Sequence, residues 1–316
     1  MMDESKSLKR MPVRFITIEE GGQRIDNFLL NYLKHVPKSH IYQLIRKGQV
    51  RVNKKRIDAS YRLHEQDQLR LPPLYTKESE VKRAPDRLLR VIASQIIYED
   101  NFFIVVNKPA GVAVHGGSGL SFGIIEAVRQ IRPQEKHLAL AHRLDRETSG
   151  CLLMVKKSSI LREVHQLLRE GGIEKQYFAF LKGPIRFKEK TIEAPLKKFN
   201  LQGGERVVRS SSEGKPAKTV FIVEKHFPLG SLVKAKPITG RTHQIRVHAA
   251  LMKHPIAGDD KYGDKIFNKE IQKKGLKRLF LHSAYLKFTL PSSQQVYEFQ
   301  SPLMQDLDDF LQKCGK

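Results

Sequence analysis

The nine residues His142-Arg143-Leu144-Asp145-Arg146-Glu147-Thr148-Ser149-Gly150 hold a carboxylate between arginines two positions before it and one after it. Cationic neighbours favour the ionised form of a carboxylate, even one partly withdrawn from water. An ionised carboxylate can attack a sugar carbon as a nucleophile or remove a proton from it as a base. The plainer role is a turn aspartate in ion pairs with Arg143 or Arg146. A second segment, Gly240-Arg241-Thr242-His243-Gln244-Ile245-Arg246-Val247-His248, follows turn chemistry at Thr239-Gly240 and offers Thr242 as a helix N-cap. Arg246 then lies about one turn into the helix, where its guanidinium can reach a buried carboxylate, or it is a surface helix arginine. A third segment, Lys175-Gln176-Tyr177, opens a strand. Tyr177 reads most simply as a core aromatic, although its ring can also stack on a base.

These segments need a scaffold, and the pattern supplies one in two parts. Ile25, Phe28, Leu29 and Tyr32 or Leu33 recur at helical spacing. Pro37-Lys38-Ser39 offers a break and an N-cap for a second helix carrying Ile41, Tyr42, Leu44 and Ile45, closed by Gly48. Asn53-Lys54-Lys55 between Val50, Val52 and Ile57 signals a tight hairpin, and Leu69 and Leu71 alternate with polar residues before Pro72-Pro73 ends the unit. Further on, strand-like runs occur at Ile96–Asp100, Phe102–Val106, Leu152–Val155, Tyr177–Leu181, Thr219–Val223, Leu232–Ala235 and Leu286–Leu290, with one amphipathic helix at Ser158–Glu170. Few helices separate the strands, so an α+β domain on a mixed, mainly antiparallel sheet is expected. The expected organisation is a flexible tail over 1–12, a small domain over 13–75, a linker over 76–92 and a larger domain over 93–316.

The chain has 316 residues with 57 Lys+Arg against 33 Asp+Glu, a net charge of +24 at pH 7. That excess favours a polyanionic partner, nucleic acid above all. Residues 1–75 carry 15 basic and 8 acidic side chains, so +17 of the charge lies in 76–316 and both parts are basic. In the first part Arg24, Lys38, Arg46, Lys47, Arg51, Lys54, Lys55 and Arg56 crowd the helices and the hairpin tip, as phosphate recognition of structured RNA requires. No stretch approaches the ~20 apolar residues of a membrane span. Met1–Pro12 has no apolar core, so no secretory signal is expected. Cys151 and Cys314 are too few for a disulfide framework. A cytoplasmic setting is expected. There is no P-loop, no GxGxxG after a strand, no HExxH and no GxSxG elbow. The run Gly116-Gly117-Ser118-Gly119 reads as a flexible turn. His115, His142, His243, His248, His254 and His282 lack paired metal-ligand spacing and read as structural or RNA-contacting.

The run from Gln23-Arg24-Ile25-Asp26 through Arg46-Lys47-Gly48-Gln49-Val50-Arg51-Val52-Asn53 resembles the S4-type RNA-binding domain. Residues 142–150 match the HRLDxxTSG signature of the RluA superfamily of pseudouridine synthases. Asn107-Lys108-Pro109-Ala110-Gly111 resembles its first motif and Gly240–His248 its C-terminal motif. The likeness runs from about Gly21 to Leu311. The tracts Ala113–Gly123 and Glu213-Gly214-Lys215-Pro216 are especially similar to the RluC-type branch, which acts on large-subunit (23S) ribosomal RNA. The resemblance implies that Asp145 is the catalytic aspartate, Tyr177 the tyrosine stacked on the uracil, and Arg246 the basic partner of the aspartate. It implies that Arg143 helps displace the target base, and that Asn107, Lys108, His142, Arg241 and His243 belong to the RNA-binding set. It implies no cofactor and no metal, a 23S rRNA substrate free or in a pre-50S particle, and a monomer without membrane attachment. The same chemistry on another RNA, or a non-catalytic assembly factor, stands as the alternative.

Overall fold

A computed structural model describes residues 8–19, 21–33, 36–77, 83–116, 122–200 and 206–315. The chain divides into two compact units, Met1–Arg83 and Ala84–Lys316.

The first unit contains β1 (Leu8–Met11), β2 (Arg14–Thr17), α1 (Ile25–Tyr32), α2 (Lys38–Arg46), β3 (Arg51–Val52), β4 (Lys55–Arg56), β5 (Gln68–Leu71) and β6 (Leu74–Lys77). Strands β2, β5, β3 and β4 form one antiparallel sheet in that order, and β1 pairs with β6. Ile25 and Leu29 of α1, Ile41, Leu44 and Ile45 of α2, and Val52, Leu69 and Leu71 of the sheet close one apolar core. Each helix therefore buries the stripe its spacing gave it. The hairpin turn sits at Asn53 and Lys54, with φ of 49° and 67°, the left-handed pair that two-residue hairpin turns require. Two expectations are corrected. The tail assigned to 1–12 contains β1, while residues 1–7 lie outside the described set. Pro72-Pro73 does not end the unit, because β6 continues beyond it. Within Pro37-Lys38-Ser39 the residue at the N-cap position of α2 is Pro37, so no side chain caps the helix.

The second unit opens with α3 (Asp86–Ser94), β7 (Ile96–Glu99), β8 (Phe103–Lys108), α4 (Ile124–Ile131), β9 (Ala139–Leu140), β10 (Ser149–Val155), α5 (Ser158–Glu170) and β11 (Glu174–Lys182). It continues with β12 (Glu189–Glu193), β13 (Leu196–Asn200), β14 (Arg206–Ser210), β15 (Lys218–Phe227) and β16 (Gly230–Pro237). It closes with α6 (Gln244–Leu251), α7 (Lys265–Lys273), β17 (Leu281–Thr289), β18 (Val296–Gln300) and α8 (Gln305–Cys314). Eight strands run in the order β12-β15-β16-β11-β17-β10-β8-β7, with β18 added to β17 and β9 to β10, and β13 and β14 make a separate hairpin. The pairing of β10 with β17 is parallel and the rest are antiparallel, so the α+β, mainly antiparallel expectation holds.

Strands β8 and β10 read as unbroken apolar runs because both faces of the sheet are covered there. Phe103, Val105, Leu153 and Val155 feed the core beneath α5, whereas Ile104, Val106, Leu152 and Met154 feed the core with Ile92 of α3 and Val128 of α4. A third core joins Phe180, Phe280 and Phe310. Helix α5 has the bounds its periodicity predicts, ending at Gly171 with φ 79°. Residues 86–92, expected in the linker, are instead the first turns of α3, whose Leu88, Leu89 and Ile92 pack on the α4 side; interspersed arginines hid that stripe. Residues 78–82 of that linker and Gly117–Gly119 of the glycine-rich run lie outside the described residues. Helices α4, α7 and α8 and strands β12, β13, β14 and β18 were not anticipated.

Candidate active site

Asp145 sits on the loop between β9 and β10, and the loop is held from both ends. Downstream, Thr148 N donates to Asp145 O at 3.1 Å. Next to it, the Arg278 guanidinium donates to Ser149 Oγ at 3.1 Å and Ser149 Oγ lies 2.9 Å from His282 Nδ1. His282 Nε2 faces the Ser301 carbonyl at 3.2 Å, which can only accept, so Nε2 carries the proton and Nδ1 takes the one from Ser149. Gly150 pairs with Ser283 across the parallel β10–β17 contact at φ +106°, where a Cβ would lie 2.2 Å from the Ser283 carbonyl oxygen. The strand crossing behind the loop therefore demands glycine.

Upstream, Lys108 is fully buried, and its Nζ donates to the carbonyls of Pro109 and Val112 at 2.8 Å and of Arg146 at 3.0 Å. Burial pulls its ammonium down to about 7. Gly111 N also donates to Arg146 O at 2.9 Å, and Arg146 Nε returns a bond to Gly111 O at 2.8 Å. The Asn107–Gly111 motif is thus a brace for the Asp145 loop. Asn107 is itself buried and donates to Pro302 O at 3.1 Å. His142 Nε2 accepts from Leu153 N at 3.1 Å, and burial pushes its imidazole down to about 4. Asn107 Nδ2, Lys108 Nζ and His142 Nε2, of residues expected in the RNA-binding set, all bond the protein's own backbone and support the loop from within, while the buried Asn107 Oδ1 has no hydrogen-bond partner among the described residues.

Facing Asp145 is the start of α6. The N-cap is His243, in the left-handed region at φ 54°, and not Thr242 as expected. Gln244 fixes this entry: its Oε1 accepts from Arg241 N at 3.0 Å and from Thr239 Oγ1 at 2.6 Å, and its Nε2 donates to Lys218 O and Thr219 Oγ1, both at 2.9 Å. Arg246 follows as the third helical residue, 7% exposed. Its Nε and Nη2 donate to the two carboxylate oxygens of Asp259 at 2.7 Å each, which leaves Nη1 directed at Asp145 Oδ2, 3.5 Å away. Asp259 also accepts from Lys261 N at 2.9 Å and Tyr262 N at 3.0 Å. The Tyr262 ring lies 5.1 Å from the Arg246 guanidinium. Sequence reasoning missed Asp259 and Tyr262, since nothing local marks a carboxylate whose partner lies 13 residues earlier.

His243 completes the cluster. Val208 N donates to Tyr262 Oη at 2.9 Å, and Tyr262 Oη lies 2.8 Å from His243 Nδ1. With the phenol already accepting from an amide, its own hydrogen is directed to Nδ1, so a neutral His243 carries its proton on Nε2. That Nε2 faces Asp145 Oδ2 at 3.7 Å. Burial lowers the His243 pKa, which keeps the ring neutral at ordinary pH. Asp145 thus sees one buried guanidinium and one imidazole N–H, and neither Arg143 nor Arg146 is among its ion-pair partners in the described residues. Arg143 is exposed at the rim.

Tyr177 lies on β11, between β16 and β17, next to a register shift between Gln176 and Tyr177 that turns its ring toward the same opening. Its phenol is pushed up to about 12, chiefly by burial. Asp145, which is 27% exposed, shares a cavity of about 160 Å³ with Tyr177, Arg241, His243 and Arg246. Arg241 is anchored by its Nε to Pro216 O at 3.0 Å. No group of three or more His, Cys, Asp or Glu among the described residues is placed to hold a metal ion.

In the first unit Lys38, Arg46, Lys47, Arg51, Lys54, Lys55 and Arg56 are exposed on α2 and the β3–β4 hairpin, as expected. Arg24 is exposed but spends itself on Asp26 at 2.7 Å.

Residues 102–251 match the family model described as RNA pseudouridylate synthase, and residues 23–69 match the S4 domain. Over 317 residues the chain is 50% identical to the ribosomal large subunit pseudouridine synthase C of Escherichia coli K12, covering 99% of this chain and 98% of that protein. The chain belongs to the RNA pseudouridylate synthase family. The synthase is also 48% identical to the Pasteurella multocida protein of the same name, over 98% of this chain and 97% of that one. Among solved structures, human RNA pseudouridylate synthase domain containing 1 matches 68% of the synthase and 86% of its own chain, with TM-score 0.57 and 28% identity. Human RNA pseudouridylate synthase domain containing 4 matches 72% and 96%, with TM-score 0.60 and 25% identity.

One consequence of the support network is a pH dependence of stability. Burial holds His282 at about 4 against an ordinary value of 6.5. Between these values the unfolded chain binds the proton and the folded synthase does not, so stability is lost as pH falls from about 6.5 to 4. His142 acts in the same direction. Unfolding free energies from denaturant curves across that window are expected to fall for the wild type and to fall less for His282→Gln, by on the order of 3 kcal/mol. Parallel curves for the two proteins would contradict this.

Proposed function

We propose that this enzyme isomerises specific uridines of 23S ribosomal RNA to pseudouridine. The observation that carries the reading is the Asp145 carboxylate at a cavity mouth, held against Arg246 and His243 with Tyr177 in the same wall. Asp145 acts on the ribose, as nucleophile at C1′ or base at C2′, and the N1–C1′ bond breaks. The uracil turns, C5 bonds to C1′, the C5 proton leaves to solvent and N1 takes one up. Electrons and groups balance within the nucleotide, so the reaction as proposed needs no cofactor.

Each side chain has a task in this sequence. Arg246 and the His243 Nε2–H stabilise the carboxylate charge and fix its direction. The Tyr177 ring gives the detached base a flat surface on which to turn, and the surrounding apolar residues Leu144, Ile245 and Leu281 limit loss to water. A uridine in a stacked strand must be extruded to reach this depth, and exposed Arg143 at the rim is placed to fill its space. The basic α2–hairpin face of the S4 domain supplies backbone grip. We infer a monomer working in the cytoplasm on free rRNA or a pre-50S particle.

The substrate assignment rests on the relatives named for the ribosomal large subunit. Pseudouridine mapping of all RNA from a deletion strain tests it. Sites lost from 23S rRNA and restored by the wild-type gene are the expected result. Loss confined to transfer RNA would move the substrate, and no loss at all would leave only a binding role.

A further inference from the structure

The four-stranded sheet of the S4 domain has a second face, turned away from the helices. Its inner residues Val52, Leu69 and Leu71 are buried in the core. On the outer face the antiparallel register sets Arg56 opposite Arg51, Arg51 opposite Arg70, and Arg70 opposite Phe15. Directly paired residues share a face, so these four side chains form one row across all four strands, about 14 Å long. The neighbouring row holds Thr17 and Gln68, joined by a 3.1 Å side-chain bond, and no carboxylate belongs to either row. Phe15 is 71% exposed, although a β-strand offers every second residue a buried place. Arg51 Nε donates to Gly48 O at 3.3 Å and Arg56 Nη2 to Arg46 O. Each therefore commits one N–H to the end of α2, which orients the guanidinium and joins the row to the basic helix face.

The geometry points to a single-stranded RNA track across this outer face, running from the α2 end over Arg56, Arg51 and Arg70 to Phe15, where an unpaired base stacks. Guanidiniums in line suit successive phosphates, and a solvent-exposed aromatic at the end of a basic row is the arrangement by which sheets hold splayed bases. The row is unsuited to an apolar protein partner, which would have to desolvate three arginines for one phenylalanine. This rests on the enzyme being an RNA-binding one, but it concerns a surface other than the catalytic cavity, and it extends the α2–hairpin face from Arg56 and Arg51 onto Arg70 and Phe15.

Fluorescence anisotropy with the full-length protein and a labelled single-stranded 12-nucleotide RNA tests it. Phe15→Ala is expected to weaken binding roughly 5- to 150-fold, with Phe15→Tyr close to wild type. Arg70→Gln is expected to reduce the slope of log affinity against log salt by about 0.7. Irradiation with RNA containing 5-iodouridine is expected to cross-link Phe15. Phe15 contributes no core packing, so matched unfolding curves separate a binding loss from misfolding. Phe15→Ala within twofold of wild type, an unchanged Arg70→Gln salt slope, or a wild-type dimer that Phe15→Ala dissolves would each overturn the proposal. Absence of uridine isomerisation with Phe15-dependent binding intact would overturn the enzymatic reading and leave this surface standing.

Discussion

Replacing Asp145 with asparagine is expected to slow single-turnover uridine isomerisation by about 10⁴-fold or more, the scale on which loss of a covalent or basic catalytic group acts. The amide has the same shape but cannot attack C1′ or remove a C2′ proton. Arg246 keeps its bidentate bonds to Asp259 and His243 keeps its bond to Tyr262, so the loop and the cavity should persist. RNA affinity is expected to stay within a few-fold of wild type, since a carboxylate does not bind phosphate. The discriminating measurement is therefore the pair of rate and dissociation constant. A variant that bound normally and reacted at a tenth of the wild-type rate would remove Asp145 from the chemistry.

The second large effect is expected at a residue that does not touch the substrate. Asp259 is 2% exposed and holds two of the Arg246 nitrogens. Asp259→Ala leaves a guanidinium in an apolar setting with Asp145 as its remaining carboxylate, and removal of one member of a buried pair costs about 3–5 kcal/mol. Differential scanning calorimetry should register this as a clear fall in the unfolding temperature. In the protein that remains folded, Arg246 is free to swing onto Asp145, and misplacement of this kind lowers kcat by roughly 10²-fold. KM should move little, because Asp259 lies outside the RNA surface. Asp259→Asn keeps an acceptor for Lys261 N and Tyr262 N and should fall between the two. A wild-type unfolding temperature together with wild-type kcat in Asp259→Ala would contradict this role.

The elements easiest to read from sequence were those with strong local periodicity. Helix α5 shows its apolar stripe, its bounds and its glycine stop within 14 residues, and β8 and β10 show unbroken apolar runs because they are covered on both faces. Helix α3 was lost in a charged stretch, since Asp86 and two arginines, Arg87 and Arg90, share its length with the apolar stripe. The nine residues around Asp145 marked its carboxylate as the candidate for the chemistry, yet the motifs that put Asn107, Lys108 and His142 in the RNA-binding set did not show that these side chains bond the backbone behind the loop. Motifs record which residues a site needs, not whether a side chain faces substrate or the loop's own carbonyls. Asp259, Tyr262 and the Val208 amide that sets the His243 tautomer become visible only when α6, β14 and the loop before α7 are brought together. Their coupling is entirely tertiary, and no local pattern encodes it.

The most direct measurement is tritium release from 23S rRNA carrying tritium at uracil C5, incubated with the purified wild-type enzyme. Isomerisation by C5–C1′ bonding predicts release to water in step with the pseudouridine formed, and none with Asp145→Asn. Pseudouridine formation without release, or equal release by Asp145→Asn, would contradict it.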